Sequence, residues 1–202
     1  MLLFPEYKYC LNLGGFANIS IKQRNKEITA FDICPENFIL NYLSEKKGQK
    51  FDNHGMIAKS GDLKIDLLEK LNNIPFYKNK IRTSLSREWV ENIMLPILEK
   101  NEYSIEDKMN TLCEHISIQI SKNLKDESVL ITGGGAFNQY LINRISFFSG
   151  SRIVKPEIEI INYKEAVIFA LLGVLRLRNE NNCLSAVTGA ERDCSGGDIF
   201  EK

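Results

Sequence analysis

Apolar positions in this chain follow two patterns. Near the start they come in short runs, Leu11–Leu13, Phe16–Ile21 and Ile28–Ile33. Runs of that length, rich in β-branched and aromatic residues, read as strands. Gly14-Gly15 separates the first two, so the opening reads as a tight hairpin and a third strand ending near Asp32. Pro35 stands where a first helical residue would. Phe38, Ile39, Leu40, Tyr42 and Leu43 fill the helix behind it, and Gly48 marks its stop.

Further along, the period changes to 3.6. After a polar turn at Phe51–Gly55, Asp62 is read as the cap of a short helix with Leu63, Leu67, Leu68 and Leu71 inward. Ser86 caps a helix striped by Trp89, Val90, Ile93, Met94, Ile97 and Leu98, which Pro96 kinks or splits. Ser104 and Asp107 have capping-box spacing before Ile105, Met109, Leu112, Cys113, Ile116, Ile120 and Leu124. Val129–Thr132 reads as a strand, Ala136–Phe148 as a helix and Arg152–Val154 as a strand. Asn162 caps a last helix, Tyr163–Arg178, apolar nearly all round and therefore expected to be deeply buried. The tail from Leu184 to Phe200 has no period.

A three-strand meander, then helices, then alternating strand and helix, predicts an α/β domain with a mixed sheet flanked by helices. The pattern suits a single ribonuclease-H-like domain over the 202 residues, the unit doubled in actin-like sugar kinases. Composition is that of a globular protein, 44% hydrophobic with net charge +0. Nothing in it points to nucleic acid, and the longest apolar run, Ala166–Leu175, is too short to cross a bilayer. The five cysteines are scattered, as suits a reducing cytoplasm.

Two glycine clusters carry the candidate chemistry. Gly14-Gly15 with Asn18 offers hairpin amides to an anion, although a plain hairpin turn also explains two glycines. Gly133, Gly134 and Gly135 stand at a strand-to-helix junction, where missing side chains and a helix amino end suit a nucleotide. No Lys-Ser/Thr follows, so this is not a P-loop, and Phe137 and Asn138 break the dinucleotide pattern. Close helix–strand packing is the alternative. Asp32 is placed to act as a general base or to cap the following helix. Glu165 is placed to bind sugar hydroxyls or to complete a capping box with Asn162. His54 and His115 read as turn and surface residues, with no metal-ligand spacing around them. Cys34 reads as a buried inert thiol, and Lys78–Arg82 as a solvated loop.

Taken in order, NLGGFANI, FDICPEN, FDNHG, SREW, ITGGGAFN, KEAVIFALLG and VTGA resemble the anhydro-N-acetylmuramic acid kinases. The resemblance implies an actin-like fold of two domains around a cleft. It implies that ATP, carried with magnesium, phosphorylates the 6-oxygen of 1,6-anhydro-N-acetylmuramic acid while water opens the anhydro ring, a step in cell-wall sugar recycling. Asn12, Gly14, Gly15, Ala17 and Asn18 match the phosphate hairpin of that family. Gly133, Gly134, Gly135, Ala136 and Asn138 match its adenosine turn, Asp32 its water-activating base and Glu165 its sugar contact.

The resemblance has gaps. Cys34 and Glu36 replace family glycines around Pro35. Arg82, Thr83 and Ser86 replace a proline, a lysine and a glycine, while Ser84, Arg87 and Glu88 remain. Family members begin with a domain bearing a first phosphate motif, which is not in this chain. The expectation is a second, nucleotide-side half, inactive alone. Its partner would be a separate N-terminal domain or a second copy, held through an uncovered apolar surface. The other expectation is a half-domain that binds nucleotide or a partner and catalyses nothing. A two-metal nuclease ranks below both, because the first strand carries Asn12 rather than an acid.

Overall fold

The computed structural model describes residues 3–24, 27–79, 84–100 and 102–200. Most of the basic loop, with Arg82 and Thr83, lies outside them. The chain runs β1 (Tyr9–Leu13), β2 (Phe16–Lys22), β3 (Ile28–Pro35), α1 (Asn37–Glu45), α2 (Met56–Ser60) and α3 (Ile65–Asn72). Next come α4 (Arg87–Trp89), a π turn over Val90–Met94 and α5 (Leu95–Glu99). Then follow α6 (Ile105–Ser121), β4 (Val129–Thr132), α7 (Gln139–Ser149), β5 (Ile153–Val154), α8 (Ile158–Asn162), α9 (Lys164–Leu177) and α10 (Ser185–Thr188).

The sheet order is β3-β2-β1-β4-β5. The first three strands form an antiparallel meander, and β4 and β5 continue in parallel beside β1. This is the mixed sheet of a ribonuclease-H-like domain, as the strand pattern predicts.

Strand alternation sorts the two faces. Tyr9, Leu11 and Leu13 of β1, Ala17 and Ile19 of β2, and Val129 and Ile131 of β4 are buried in one hydrophobic core. That core is completed by Leu67 and Leu71 of α3, Met109, Leu112, Ile116 and Ile120 of α6, and Leu141 and Ile145 of α7. Helix α6 runs through the middle, so its polar side is buried too. Asn110 Nδ2 donates to the Ala58 and Gly61 carbonyls at 2.9 Å. Arg144 of α7 grips Glu114 with two bonds of 2.7 and 2.6 Å. Charge-assisted, two-pronged pairs of this kind fix geometry as well as adding energy.

Several caps stand as expected. Ser86 Oγ accepts the Trp89 amide at 3.2 Å, and Ser104 Oγ accepts that of Asp107 at 3.1 Å. Pro96 does interrupt its helix, as the π turn ahead of it shows. Other expectations are corrected. Pro35 is not a first helical residue. It ends β3 opposite Phe16, where a missing N–H costs little. Asp62 does not cap α3, whose preceding residue is Lys64; the Asp62 amide donates instead to Asp107 Oδ1 at 2.8 Å. Asn162 ends α8 rather than capping α9. The Phe51–Gly55 turn is followed by a helix that the sequence pattern hid, and Asp52 caps it through the Ile57 and Ala58 amides at 2.8 and 3.0 Å.

The largest correction concerns α9. No residue of it is buried, and Phe169 and Leu177 are 71% and 70% exposed. One side faces the sheet across a cavity, while the other has no cover among the described residues.

His115 is corrected as well, because it is fully buried rather than on the surface. Its Nδ1 lies 2.8 Å from Asn72 Oδ1, and its ring meets Tyr77 edge-on. Burial pushes its pKa down to about 3, from 6.5. A depressed imidazole contributes stability that is full above pH 6.5 and is lost as pH falls through 3. NMR titration of the ring is expected to show a neutral imidazole throughout the range in which the protein stays folded above about pH 3. Titration near pH 6 would contradict this burial.

Candidate functional site

The β1–β2 hairpin turn and the start of α1 are built together. Gly15 O accepts the amides of Glu36 and Phe38 at 2.9 and 3.2 Å, and Gly14 O accepts that of Asn37 at 3.0 Å. Asn37 Nδ2 adds a bond to Leu13 O at 3.2 Å. The hairpin carbonyls therefore cap α1, the task otherwise open to Asp32. The peptide between Gly14 and Gly15 is trans, so the Gly15 N–H points opposite the Gly14 carbonyl, away from α1. Neither residue has positive φ. Packing does not explain the choice of glycine at Gly15, where a Cβ would come no nearer than 4.0 Å to Phe38, whereas a Cβ on Gly14 would press on Asn12 Nδ2 at 3.3 Å.

Register places the polar residues in one row. Asn12 stands opposite Asn18 on β2 and beside Thr132 on β4, and Asn18 stands opposite Asp32 on β3. The last pairing depends on an irregularity between Ala17 and Asn18, which leaves Ile33 without a partner and puts Asp32 in line. The row lies on the face away from the core, where Asn12, Asn18 and Thr132 line a cavity of about 550 Å³ under α9. Lys164 of α9 reaches across this cavity to Asn12 Oδ1. Burial pushes its ammonium pKa down. Sequence reasoning passed over Lys164, whose only signal was its place beside Glu165 at a helix start.

Asp32 is half-buried and accepts the Leu85 amide at 2.9 Å. That bond joins the acid to the SREW stretch. Asn18, Asp32, Ser84 and Val187 share a cavity of about 280 Å³. Glu165 is exposed at the start of α9, outside the residues lining that cavity.

The glycine triad divides. Gly133 has φ +87°, and a Cβ there would lie 2.3 Å from Leu13 O and 2.7 Å from Asn12 Oδ1. A Cβ on Gly135 would lie 2.5 Å from Glu36 Oε1 and 2.7 Å from Leu13 Cβ. Both are glycine because the turn presses on the end of β1. Gly134 is different, since its nearest neighbour, Asn37 Nδ2, is 3.6 Å away and it lines an open cleft of about 470 Å³. Asn37, Phe51, His54, Phe137 and Asn138 line the same cleft. The expected helix at Ala136 starts later, because Gly134–Phe137 is a 3-10 turn. Asn138 Oδ1 caps α7 through the Leu141 amide at 3.0 Å.

Glu36 sits between the two turns. It is 0% exposed, and neither carboxylate oxygen has a hydrogen-bond partner. Burial pushes its pKa up to about 8, with the Asn37 amide pulling weakly the other way. Among the described residues no group of three His, Cys, Asp or Glu side chains is arranged to hold a metal ion. No helix there is long and apolar enough to cross a membrane.

The sheet order, with β1 and β4 parallel neighbours, is that of a ribonuclease-H-like domain and brings the glycine turns that follow these two strands to the same end of the sheet. A profile of the anhydro-N-acetylmuramic acid kinases matches residues 4–202, and the chain belongs to that family. It is 30% identical to the anhydro-N-acetylmuramic acid kinase of Mannheimia succiniciproducens, over 95% of this chain and 56% of that protein. It is 31% identical to that of Saccharophagus degradans, over 94% and 54%. The chain thus spans about half the length of the curated relatives it matches. Among solved structures it is similar to the ADPNP-bound activator of the 2-hydroxyisocaproyl-CoA dehydratase from Clostridium difficile. There the TM-score is 0.46 and the identity 16%, over 86% of this chain and 63% of that one.

Glu36 yields a signed prediction. Its folded pKa lies above the ordinary 4.5, so the proton it keeps stabilises the fold fully below pH 4.5. That stability is lost as pH rises to about 8. Glu36→Gln keeps the shape and removes the titration. Its unfolding free energy relative to wild type is expected to rise across that window, by about 1.4 kcal/mol per pH unit at most. Denaturant curves at intervals of pH read this directly, and parallel profiles for the two proteins would contradict it.

Proposed function

We propose that this chain is the nucleotide-side half of an anhydro-N-acetylmuramic acid kinase. In this reading ATP is the phosphoryl donor, and the sugar is opened by water and phosphorylated at its 6-oxygen. The observation that carries the reading is the register that sets Asn18 of the glycine hairpin directly opposite Asp32. A phosphate held at the hairpin and a water held by the acid would then share one face of the sheet.

The roles divide between that face and the cleft beside α1. The Gly15 amide, turned away from α1, and Asn18 meet the phosphates. Phosphoryl transfer relies on charge stabilisation of this kind, placed before the reaction begins. Gly134 and Asn138 meet the adenosine, with Phe51 and Phe137 offering apolar surface to the base in the 470 Å³ cleft. Magnesium bound with the nucleotide would supply neutralising charge to its phosphates, beside the Gly15 amide and Asn18. Asp32, held by the Leu85 amide, takes the proton of the attacking water. Glu165 holds sugar hydroxyls once the cleft closes. Gly133 and Gly135 act through packing alone and keep the nucleotide turn against β1.

The remaining charge stabilisation belongs to the other half of the cleft, present in relatives of about twice this length. The uncovered outer side of α9, with Phe169 and Leu177, is where that half, or a second copy of this chain, would pack. A second reading, a half that binds and does not turn over, is favoured by Glu36. An acid there stands beside the nucleotide turn, and as a carboxylate it would oppose phosphate.

The test is to incubate the pure chain with Mg-ATP and the anhydro sugar, then to repeat with the N-terminal half of a full-length relative added. No phosphosugar alone and turnover when mixed is the expected result. Turnover by the chain alone would contradict the half-site reading, and none in the mixture would favour the binding half. In the active mixture Asp32→Asn is expected to lower kcat by about 10²–10⁴-fold, with a smaller change in KM.

A further inference from the structure

We propose that Cys183 and Cys194 form a reversible disulfide that fastens the C-terminal hairpin over the Asp32 face of the sheet. The two residues are an isolated antiparallel pair, directly opposite one another. They exchange both backbone bonds, Cys183 N to Cys194 O and Cys194 N to Cys183 O, each at 3.0 Å. In such a pair the Cα atoms are about 5.5 Å apart. Disulfides span about 4.4–6.8 Å between Cα atoms, so this spacing fits, and the Cβ atoms of a hydrogen-bonded pair, about 5.5 Å apart, come within bonding range by a small local shift of the two segments.

The surroundings hold this geometry without the bond. Asn182 N also donates to Cys194 O at 3.1 Å, and Asn182 Oδ1 accepts the Gly196 amide at 2.7 Å. Asp193 accepts both the amide and the hydroxyl of Ser185, at 2.7 and 2.6 Å. Asn182 Nδ2 ties the hairpin to α9 through Leu172 O at 3.2 Å.

Selectivity follows from exposure. Cys183 and Cys194 are exposed free thiols, while Cys34 and Cys113 are buried. Burial pushes the Cys113 thiol well above its ordinary pKa and also raises that of Cys10. Thiolate, not thiol, reacts, so the exposed pair is the one presented to an oxidant. With hydrogen peroxide, one thiolate attacks a peroxide oxygen, the O–O bond breaks, and a sulfenic acid and hydroxide form. The second thiolate then attacks the sulfenic sulfur, the S–S bond forms, and the S–O bond breaks to release hydroxide, which takes a proton from solvent to become water. A dithiol reverses the change by exchange. An exposed bond of this sort belongs to the labile, regulatory class rather than the structural one.

The closed loop carries α10, which packs across β3. Val187 of α10 forms a wall of the cavity that holds Asn18, Asp32 and Ser84. Oxidation would thus hold that wall in place, and reduction would free it. The crosslink stands whether or not Asp32 acts as a base, so it is tested without any activity.

The experiment uses the full chain, treated with stoichiometric hydrogen peroxide, blocked at free thiols and digested with trypsin in the absence of reductant. Arg192 lies between the cysteines, so trypsin parts 179–192 from 193–202. The expected product is these two peptides joined, lighter than their sum by two hydrogens, released by dithiothreitol and absent in Cys183→Ser. Amide exchange across 185–190 is expected to slow several-fold on oxidation of the wild type and not of the variant. Recovery of both cysteines as blocked thiols would overturn the proposal. So would pairing scrambled onto Cys10, a crosslink joining two copies, or unchanged exchange in crosslinked protein.

Discussion

The end of β1 at Leu13 is the constraint on which the arrangement depends. By chain connection it leads into Gly14-Gly15. By packing it takes the full pressure of the turn after β4, where Gly133 and Gly135 leave no room for a Cβ against Leu13. The Leu13 carbonyl also accepts the Asn37 side chain, which draws in the start of α1. Three elements distant in sequence thus meet at one residue. The two glycine turns become neighbours because each needs that same strand end.

This crowding shows how a glycine motif divides its tasks. Gly133 and Gly135 serve packing, a role required by hard contacts and by a positive φ at Gly133. A Cβ on Gly14 would press on Asn12 Nδ2 at 3.3 Å, whereas Gly134 and Gly15 have space around them, so their lack of side chains is not explained by the fold. It is explained if something approaches their backbone. Glu36 sits in the seam between these groups, where the family resemblance calls for glycine. A buried acid without a partner is costly unless it keeps its proton, and its raised pKa expresses that cost.

Much of this was legible in the sequence, for identifiable reasons. Short apolar runs with glycine punctuation marked β1, β2, β3 and β4, and hydroxyl caps at Ser86 and Ser104 acted as read. The site was less legible. Asn18 and Asp32 face each other only because of the irregularity at Ile33, and a bulge leaves little trace in residue pattern. The capping of α1 by Gly14 and Gly15 carbonyls had no side-chain signal at all, which is why Pro35 was misplaced. Polar residues of α6 look the same whether they meet water or fixed partners, so the burial of Asn110, Glu114 and His115 did not show in its stripe. An all-apolar helix reads as buried whether its cover lies in the same chain or elsewhere. That is how α9 misled.

The central claim is that the hairpin and the glycine turn after β4 form one phosphate-and-nucleotide wall beside Asp32. Amide NMR during titration of the intact chain with Mg-ATP tests it most directly. The account predicts saturable shifts at Gly15, Asn18, Gly134 and Asn138 together, with one dissociation constant. Shifts confined to one turn, or none at millimolar nucleotide, would contradict it.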